Sequence, residues 1–143
     1  MNGGNEQFVG ALIRLSMAVQ YVHQDLSREH DLTPQQSVMM CAITHGPVGM
    51  AELTDYLHIE KSTLTGLVDR AERRGLVARS QDPCDRRAVQ VALTPRGREV
   101  VTEFQQAITK TLTEQLDNLP VSVRRQLQTA LPMIADTYWN SLS

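Results

Sequence analysis

The sequence predicts a mainly α-helical protein with one small β-hairpin, and three observations support this fold class. Apolar residues recur at spacings of three and four along most of the chain, which is the period of an amphipathic helix. Residues 76–93 instead contain a segment of alternating apolar and polar side chains, which is the period of a strand. The 143 residues are 41% hydrophobic and only 4% aromatic. The chain can therefore bury a core, and that core has to be mostly aliphatic.

The first predicted helix covers residues 7–29 and carries a narrow apolar seam. The seam consists of Phe8, Leu12, Leu15, Val19, Val22 and Leu26. Such a seam packs one helix against another, so it fits either a dimer interface or a helical bundle. A second helix is predicted to begin at Thr33-Pro34, because Thr33 suits the N-cap and Gln36 completes a capping box. Gly-Pro at 46–47 ends this helix.

The next segment predicts two helices joined by a tight turn at residues 58–61. The first covers about 51–57, and the second runs from near Ser62 to Gly75. One face of the second helix is apolar. Its other face has small polar residues near the start and arginines further along: Ser62, Thr65, Gly66, Asp69, Arg70 and Arg73. A helix of this kind can lie in a DNA major groove and meet both base edges and phosphates.

Some of these charged side chains also have a purely structural interpretation. Asp69 and Arg73 lie one turn apart and can form an ion pair along the helix. Arg73 and Arg74 can complement the dipole at the end of the helix. These alternatives remain open from the sequence.

The hairpin is predicted from strands at 76–79 and 88–93, with a polar tip at 81–87. Pro83 suits such a tip and not a central strand. Val48 is a candidate for one further, very short strand.

The last part of the chain predicts two helices. A second Thr-Pro pair at 94–95 begins a helix of about 22 residues, which Leu119-Pro120 ends. A final helix follows with an apolar face from Val123 to Tyr138, and Pro132 falls inside it.

The charge is distributed unevenly along the chain. The net charge is −2, yet residues 61–98 contain nine Lys or Arg against four Asp or Glu, a net +5. The remaining residues carry five basic and twelve acidic side chains, a net −7. This asymmetry predicts a basic face on an acidic body, and the basic run coincides with the helix-turn-helix pattern.

The most specific residues lie around the hairpin. The sequence reads Arg-Ala-Glu-Arg-Arg-Gly-Leu-Val at 70–77, Asp-Pro-Cys-Asp-Arg-Arg-Ala at 82–88, and then Val-Gln-Val-Ala-Leu-Thr-Pro-Arg-Gly. Over nearly its whole length the chain resembles the MarR family of bacterial winged helix-turn-helix repressors. The resemblance implies a mainly α fold with a small β-hairpin, the wing, and an obligate homodimer on a near-palindromic operator.

The resemblance also implies a division of the chain and a set of site residues. Residues 1–32 would form a dimerisation helix, 33–98 the winged helix-turn-helix, and 99–143 the C-terminal dimerisation helices, all within one integrated domain. The positions that match the family's DNA contacts are Lys61, Ser62, Thr63, Thr65, Gly66, Arg70, Arg86 and Arg87. Asp85 would orient the arginine that enters the minor groove, where a narrow groove attracts arginine.

Members of the family often release DNA when a phenolic or other aromatic acid fills a pocket beside the winged domain. Segments 12–22, 38–45 and 100–108 lie near that pocket by resemblance. The candidate ligand contacts are Arg14, Met17, Tyr21 and His45. The sequence does not identify the effector, the operator or the regulated genes.

Other chemistries have weaker support. Cys41 resembles a small buried hydrophobe, whereas Cys84 lies beside two arginines that favour a reactive thiolate, so oxidation there is one alternative mode of regulation. The histidines form no compact metal-ligand set, and no nucleophilic triad, phosphate loop or carboxylate pair is organised. We therefore expect no enzyme activity, cofactor, metal or catalytic residue. The other alternative is a winged-helix adaptor that binds proteins.

The sequence also predicts where the protein resides. The first residues lack the basic start of a signal peptide, and the chain has no uninterrupted apolar segment long enough to span a membrane. We expect a soluble cytoplasmic protein.

Overall fold

A computed structural model describes residues 3–142, and within them the chain is mainly helical with a small antiparallel sheet. This confirms the predicted fold class. In chain order the elements are α1 (Gly3–Glu29), α2 (Pro34–Ala42), β1 (Val48–Gly49), α3 (Met50–Leu57), α4 (Lys61–Arg73), β2 (Val77–Asp82), β3 (Asp85–Leu93), α5 (Pro95–Glu114) and α6 (Val121–Asn140). A short 3₁₀ helix, Gln115–Asn118, precedes α6. None of the helices in residues 3–142 combines the length and apolar character needed to cross a membrane.

The chain divides into two compact units, the first ending at Ile108 and the second beginning at Thr109. The core of the first unit lies where α2, α4, the sheet and the start of α5 meet. Met39, Val68, Val91 and Phe104 are at most 1% exposed there. In the second unit no residue of α6 is buried, and α6 continues through Pro132.

Local capping explains the start of α2. The side-chain oxygen of Thr33 accepts a hydrogen bond from the Gln36 N–H, and Gln36 Oε1 accepts one from the Thr33 N–H, both at 3.1 Å. This confirms the predicted capping box, which satisfies two otherwise unpaired backbone donors. The first helix is longer than predicted, because it begins at Gly3 instead of residue 7.

The helix-turn-helix consists of α3 and α4. His58 ends α3 in a left-handed conformation, with φ of 53°. Gly75 follows α4 with φ of 72°, a conformation that glycine adopts without a Cβ clash. The predicted apolar stripe of α4 is confirmed, because Leu64, Leu67, Val68 and Ala71 are all buried.

The sheet has three strands in the order β1-β3-β2. The predicted short strand at Val48 is confirmed, and it pairs with Val91 of β3. The predicted long polar tip is wrong. The strands extend to Asp82 and Asp85, so only Pro83 and Cys84 form the turn. Backbone pairing can continue through polar residues, because the hydrogen bonds of the ladder do not depend on apolar side chains.

Candidate nucleic-acid interface

The first turns of α4 present an exposed polar face. Lys61, Ser62, Thr63 and Thr65 are all exposed, while the apolar stripe of the same helix is buried. The Thr65 hydroxyl donates a hydrogen bond to the Lys61 carbonyl at 2.9 Å. Its oxygen lone pairs therefore remain available as acceptors.

The wing meets α4 at a recess of about 470 Å³, which we call the recognition recess. Lys61 and Thr65 line it from α4, and Arg79 and Arg87 line it from the two long strands. Gly49 and Ala51, at the start of α3, complete one wall. The structure thus brings together predicted site residues that lie more than twenty positions apart.

Arg79 connects the wing to α4, and the sequence did not single it out. Its Nη2 lies 2.5 Å from Asp69 Oδ1, and its Nη1 lies 2.9 Å from Glu72 Oε1. The Arg79 backbone N–H also donates to Glu72 at 3.0 Å. The hydrogen bond to Asp69 contributes most to raising the pKa of Arg79 above its ordinary value.

The structure corrects the proposed ion pair between Asp69 and Arg73. The Asp69 carboxylate pairs with Arg79, and Arg73 Nε instead donates to the Asp69 backbone carbonyl at 3.3 Å. The strand β2 brings a guanidinium beside α4, and only the tertiary fold can reveal this competitor.

The wing residues lie on β3 and not in a loop. Arg86 and Arg87 are exposed. Asp85 accepts a hydrogen bond from the backbone N–H of Arg87 at 3.0 Å. The aspartate therefore constrains the backbone at Arg87, whose side chain is exposed.

Gly66 has no structural partner that requires a glycine. An added Cβ there would meet only the end of the Arg70 side chain, at 3.3 Å. Glycine inside a helix costs about 1 kcal/mol relative to alanine. The packing of this chain does not explain why that cost is tolerated.

Arg70 lies apart from the recognition recess. It lines a second recess with Arg28, Arg73 and Arg74, near the ends of α1 and α4. Lys61 and Arg87, with which the sequence grouped Arg70, line the recognition recess instead, and the assignment of all three to DNA binding stays a prediction.

A cavity of about 430 Å³ lies between α1, α2 and the helix-turn-helix, and we call it the interhelical cavity. Its lining is Val19, Gln20, His23, Gln24, Pro34, Gln35, Val38, Leu57, Ile59 and Leu67. This lining contains no Lys, Arg, Asp or Glu among residues 3–142. Its polar groups are thus one imidazole and three side-chain amides.

His23 is held in place on the cavity wall. Its Nε2 lies 3.2 Å from the Ser37 hydroxyl, which lies 2.9 Å from the hydroxyl of Ser27. The ring also packs edge-on against Phe104, with centroids 5.3 Å apart. Burial lowers the pKa of His23, so its imidazole is neutral at neutral pH.

The four ligand contacts proposed from the sequence do not line this cavity. Arg14, Met17 and Tyr21 are exposed on α1, and His45 is exposed after α2. Val19 and Val38, which do line it, come from two of the segments expected near a ligand pocket. The assignment of those four side chains to a ligand site stays a prediction.

The two cysteines have different surroundings. Burial raises the pKa of the half-buried Cys41 thiol, which keeps it protonated. Cys84 is exposed at the hairpin turn, where its backbone N–H donates to Asp82 Oδ1 at 2.9 Å. Both thiols are free. Within residues 3–142, no group of three His, Cys, Asp or Glu side chains is arranged to hold a metal ion.

Comparisons with known proteins identify the family. The model of the MarR family matches residues 32–89. The chain is 40% identical over 77 residues to the HTH-type transcriptional repressor NicR of Pseudomonas putida, covering 53% of this chain and 49% of NicR. It is 30% identical over 101 residues to the HTH-type transcriptional regulator YsmB of Bacillus subtilis, covering 70% and 67% of the two chains. The match thus spans about half of NicR and two thirds of YsmB.

A solved structure agrees over most of the chain. Bordetella bronchiseptica BpsR, whose DNA binding is regulated by 6-hydroxynicotinic acid, superimposes with a TM-score of 0.70 at 29% identity. The similarity covers 90% of this chain and 93% of BpsR. With the family match and the identity to YsmB, it shows that this chain belongs to the MarR family of transcriptional regulators.

Proposed function

We propose that this chain is a homodimeric repressor that binds a near-palindromic operator and releases it when a small aromatic molecule fills the interhelical cavity. The main support for the proposed DNA binding is the recognition recess. It joins Lys61 and Thr65 at the start of α4 to Arg87 on the wing. In such an arrangement α4 meets base edges and phosphates in the major groove, while the wing arginine enters the minor groove.

Gly66 supports close approach of DNA to α4. Nothing within the described chain needs a glycine there, because an added Cβ would meet only the end of the flexible Arg70 side chain. The absence of a side chain lets a base or a sugar-phosphate backbone approach the helix axis. In our proposal Ser62, Thr63 and Thr65 then make base or phosphate contacts around it.

Dimerisation is supported by exposed apolar side chains on the first and last helices. On α1, Phe8 is 50% exposed and Leu15 is 47% exposed. On α6, Met133 and Ile134 are 68% and 37% exposed. A second copy of the chain would cover these faces. Its two recognition helices would then meet half-sites about one turn of DNA apart.

The interhelical cavity supports regulation by a small molecule. Its lining includes Val19 of α1, Val38 of α2 and Leu67 of α4, so a bound molecule would touch all three helices. Leu67 lies on the buried stripe of α4. A ligand that changes this packing can move the recognition surface. The relationship to BpsR makes 6-hydroxynicotinic acid the first probe to test.

The test is fluorescence anisotropy of the purified protein with its own upstream DNA over a series of salt concentrations. We expect tight binding that weakens steeply as salt rises, because phosphate contacts release counterions. Arg87→Ala should weaken operator binding by about tenfold or more, which corresponds to a contact worth roughly 1–3 kcal/mol.

Arg125→Ala is the matched control, because it removes one exposed arginine from α6. It should bind like the wild type. If the upstream DNA binds only weakly and Arg87→Ala changes nothing, the winged helix is better explained as a protein-binding adaptor.

A further inference from the structure

The second recess, which we call the arginine recess, contains an unusual concentration of positive charge. It is lined by Arg28 near the end of α1 and by Arg70, Arg73 and Arg74 near the end of α4. Asp31 is the acidic side chain that lines it. Its charged side chains therefore carry a net +3.

Helix dipoles do not account for this charge. The C-terminal ends of α1 and α4 each contribute about half a negative charge. Two such ends together offset about one of the three net positive charges. Roughly two positive charges of the recess are therefore not offset by the helix ends.

The arginines also lack strong internal ion pairs. In the part of the chain that the structure describes, no carboxylate lies within 4.0 Å of the guanidinium groups of Arg70, Arg73 or Arg74. Arg28 pairs with Asp25 at 3.7 Å, but their side chains are 80% and 56% exposed. Such an exposed pair contributes little and can exchange for another anion.

The walls of the recess are nevertheless fixed. Arg74 Nη1 donates to Gln36 Oε1 at 3.1 Å, and Gln36 is 3% exposed. The hydroxyls of Ser27 and Ser37 lie 2.9 Å apart and connect α1 to α2. The end of α4 and the end of α1 are both anchored on the first turns of α2, so the arginines are presented together without requiring a ligand.

The length of α4 indicates which anion the arginine recess binds. The thirteen residues of α4 span about 20 Å at 1.5 Å per residue. The DNA major groove is only about 12 Å wide. If the first turns of α4 enter the groove, its last turn reaches the phosphates that border it.

We infer that the arginine recess binds the DNA phosphate backbone and extends each half-site contact beyond the first turns of α4 and the wing. This inference rests on the proposed DNA-binding function. It assigns Arg28, which lies outside the helix-turn-helix, to DNA binding. Because phosphate contacts carry no sequence information, the recess would add affinity and register without changing the operator preference.

The test uses Arg28→Ala and two unrelated mixed-sequence duplexes, so it does not depend on the operator. We expect weaker binding to both duplexes by the same factor, at least tenfold at 0.1 M salt. The plot of log affinity against log salt should become shallower by about one for each recess, and thus by about two for a dimer. Arg125→Ala changes the net charge equally and should leave both quantities unchanged. Thermal unfolding will show whether each variant is folded.

Arg87→Ala is measured on the same duplexes. It distinguishes a wrong inference about the recess from a wrong DNA-binding function. If Arg87→Ala weakens binding and Arg28→Ala does not, the inference about the recess is wrong and the DNA-binding function stands. If neither variant changes binding, both are wrong. If Arg28→Ala binds DNA normally but abolishes a thermal stabilisation of the wild type by inorganic phosphate, the recess holds a free anion and the inference is also overturned.

Discussion

At the scale of single residues, Arg79 links the stability of the wing to the position of the recognition helix. Its guanidinium contacts Asp69 and Glu72, and its Nη2 donates to the Thr65 carbonyl at 3.4 Å. The three partners lie along α4. Because the ion pairs are partly exposed, each adds only about 0–1 kcal/mol to stability. Their main effect is therefore on geometry and local charge.

Arg79→Met should affect DNA binding more than folding. It keeps the aliphatic stem but leaves the carboxylates of Asp69 and Glu72 without their guanidinium partner, and these then repel phosphate. We expect the free energy of unfolding to fall by about 1 kcal/mol and the DNA affinity to fall by at least tenfold. Denaturant unfolding and anisotropy measure the two effects. An unchanged DNA affinity would contradict this role.

At the scale of elements, the sequence predicted what depends on local chemistry. The capping box of α2, the apolar stripe of α4 and the glycine that ends α4 follow from residues within a few positions of one another. The extent of β2 and β3 did not follow, because a strand through polar residues depends on its partner. Nor did the partner of Asp69, since Arg79 reaches it only after β2 packs beside α4.

The interhelical cavity is the element-scale feature that tests regulation. Val38 is 43% exposed and lines the cavity, so Val38→Trp should fill part of the 430 Å³ without disturbing the core. We expect the variant to bind the operator normally. We also expect 6-hydroxynicotinic acid to be at least tenfold less effective in releasing it from the DNA. Isothermal titration with the ligand and anisotropy with DNA measure these effects.

Val19→Trp fills the same cavity from α1, and we expect it to have the same effects on operator binding and on release by the ligand. If 6-hydroxynicotinic acid releases both variants from the operator as readily as the wild type, the effector binds elsewhere. If the wild type itself does not respond to 6-hydroxynicotinic acid, this compound is not the effector. A change in the melting temperature of the wild type, but not of the variants, then provides the screen for other aromatic molecules.

At the scale of the whole molecule, exposed apolar surface is the main feature that a single chain leaves unexplained. Within the first unit, the seam of α1 is half-buried at Leu12, Val22 and Leu26 but exposed at Phe8 and Leu15. The seam therefore serves two purposes. Leu26, near its end, packs against the core of the unit, whereas the exposed Phe8 and Leu15 remain available to another chain.

Leu15→Glu should separate the dimer while leaving each chain folded. Leu15 is 47% exposed, so a carboxylate there stays hydrated in the monomer but becomes buried if a partner covers the seam. Light scattering should show a mass near 16.0 kDa instead of twice that value. Operator affinity should fall by more than a hundredfold, because the two half-sites are no longer bound as one unit.

Thr102→Glu adds the same charge at an exposed polar position on α5 and should leave the mass and the operator affinity unchanged. If Leu15→Glu keeps the doubled mass, the first part of the seam is not the dimer interface. If it becomes monomeric yet retains operator affinity, each chain binds DNA independently. A near-palindromic operator would then not be required, since symmetry in the DNA is useful only to a protein that binds it as a symmetric pair.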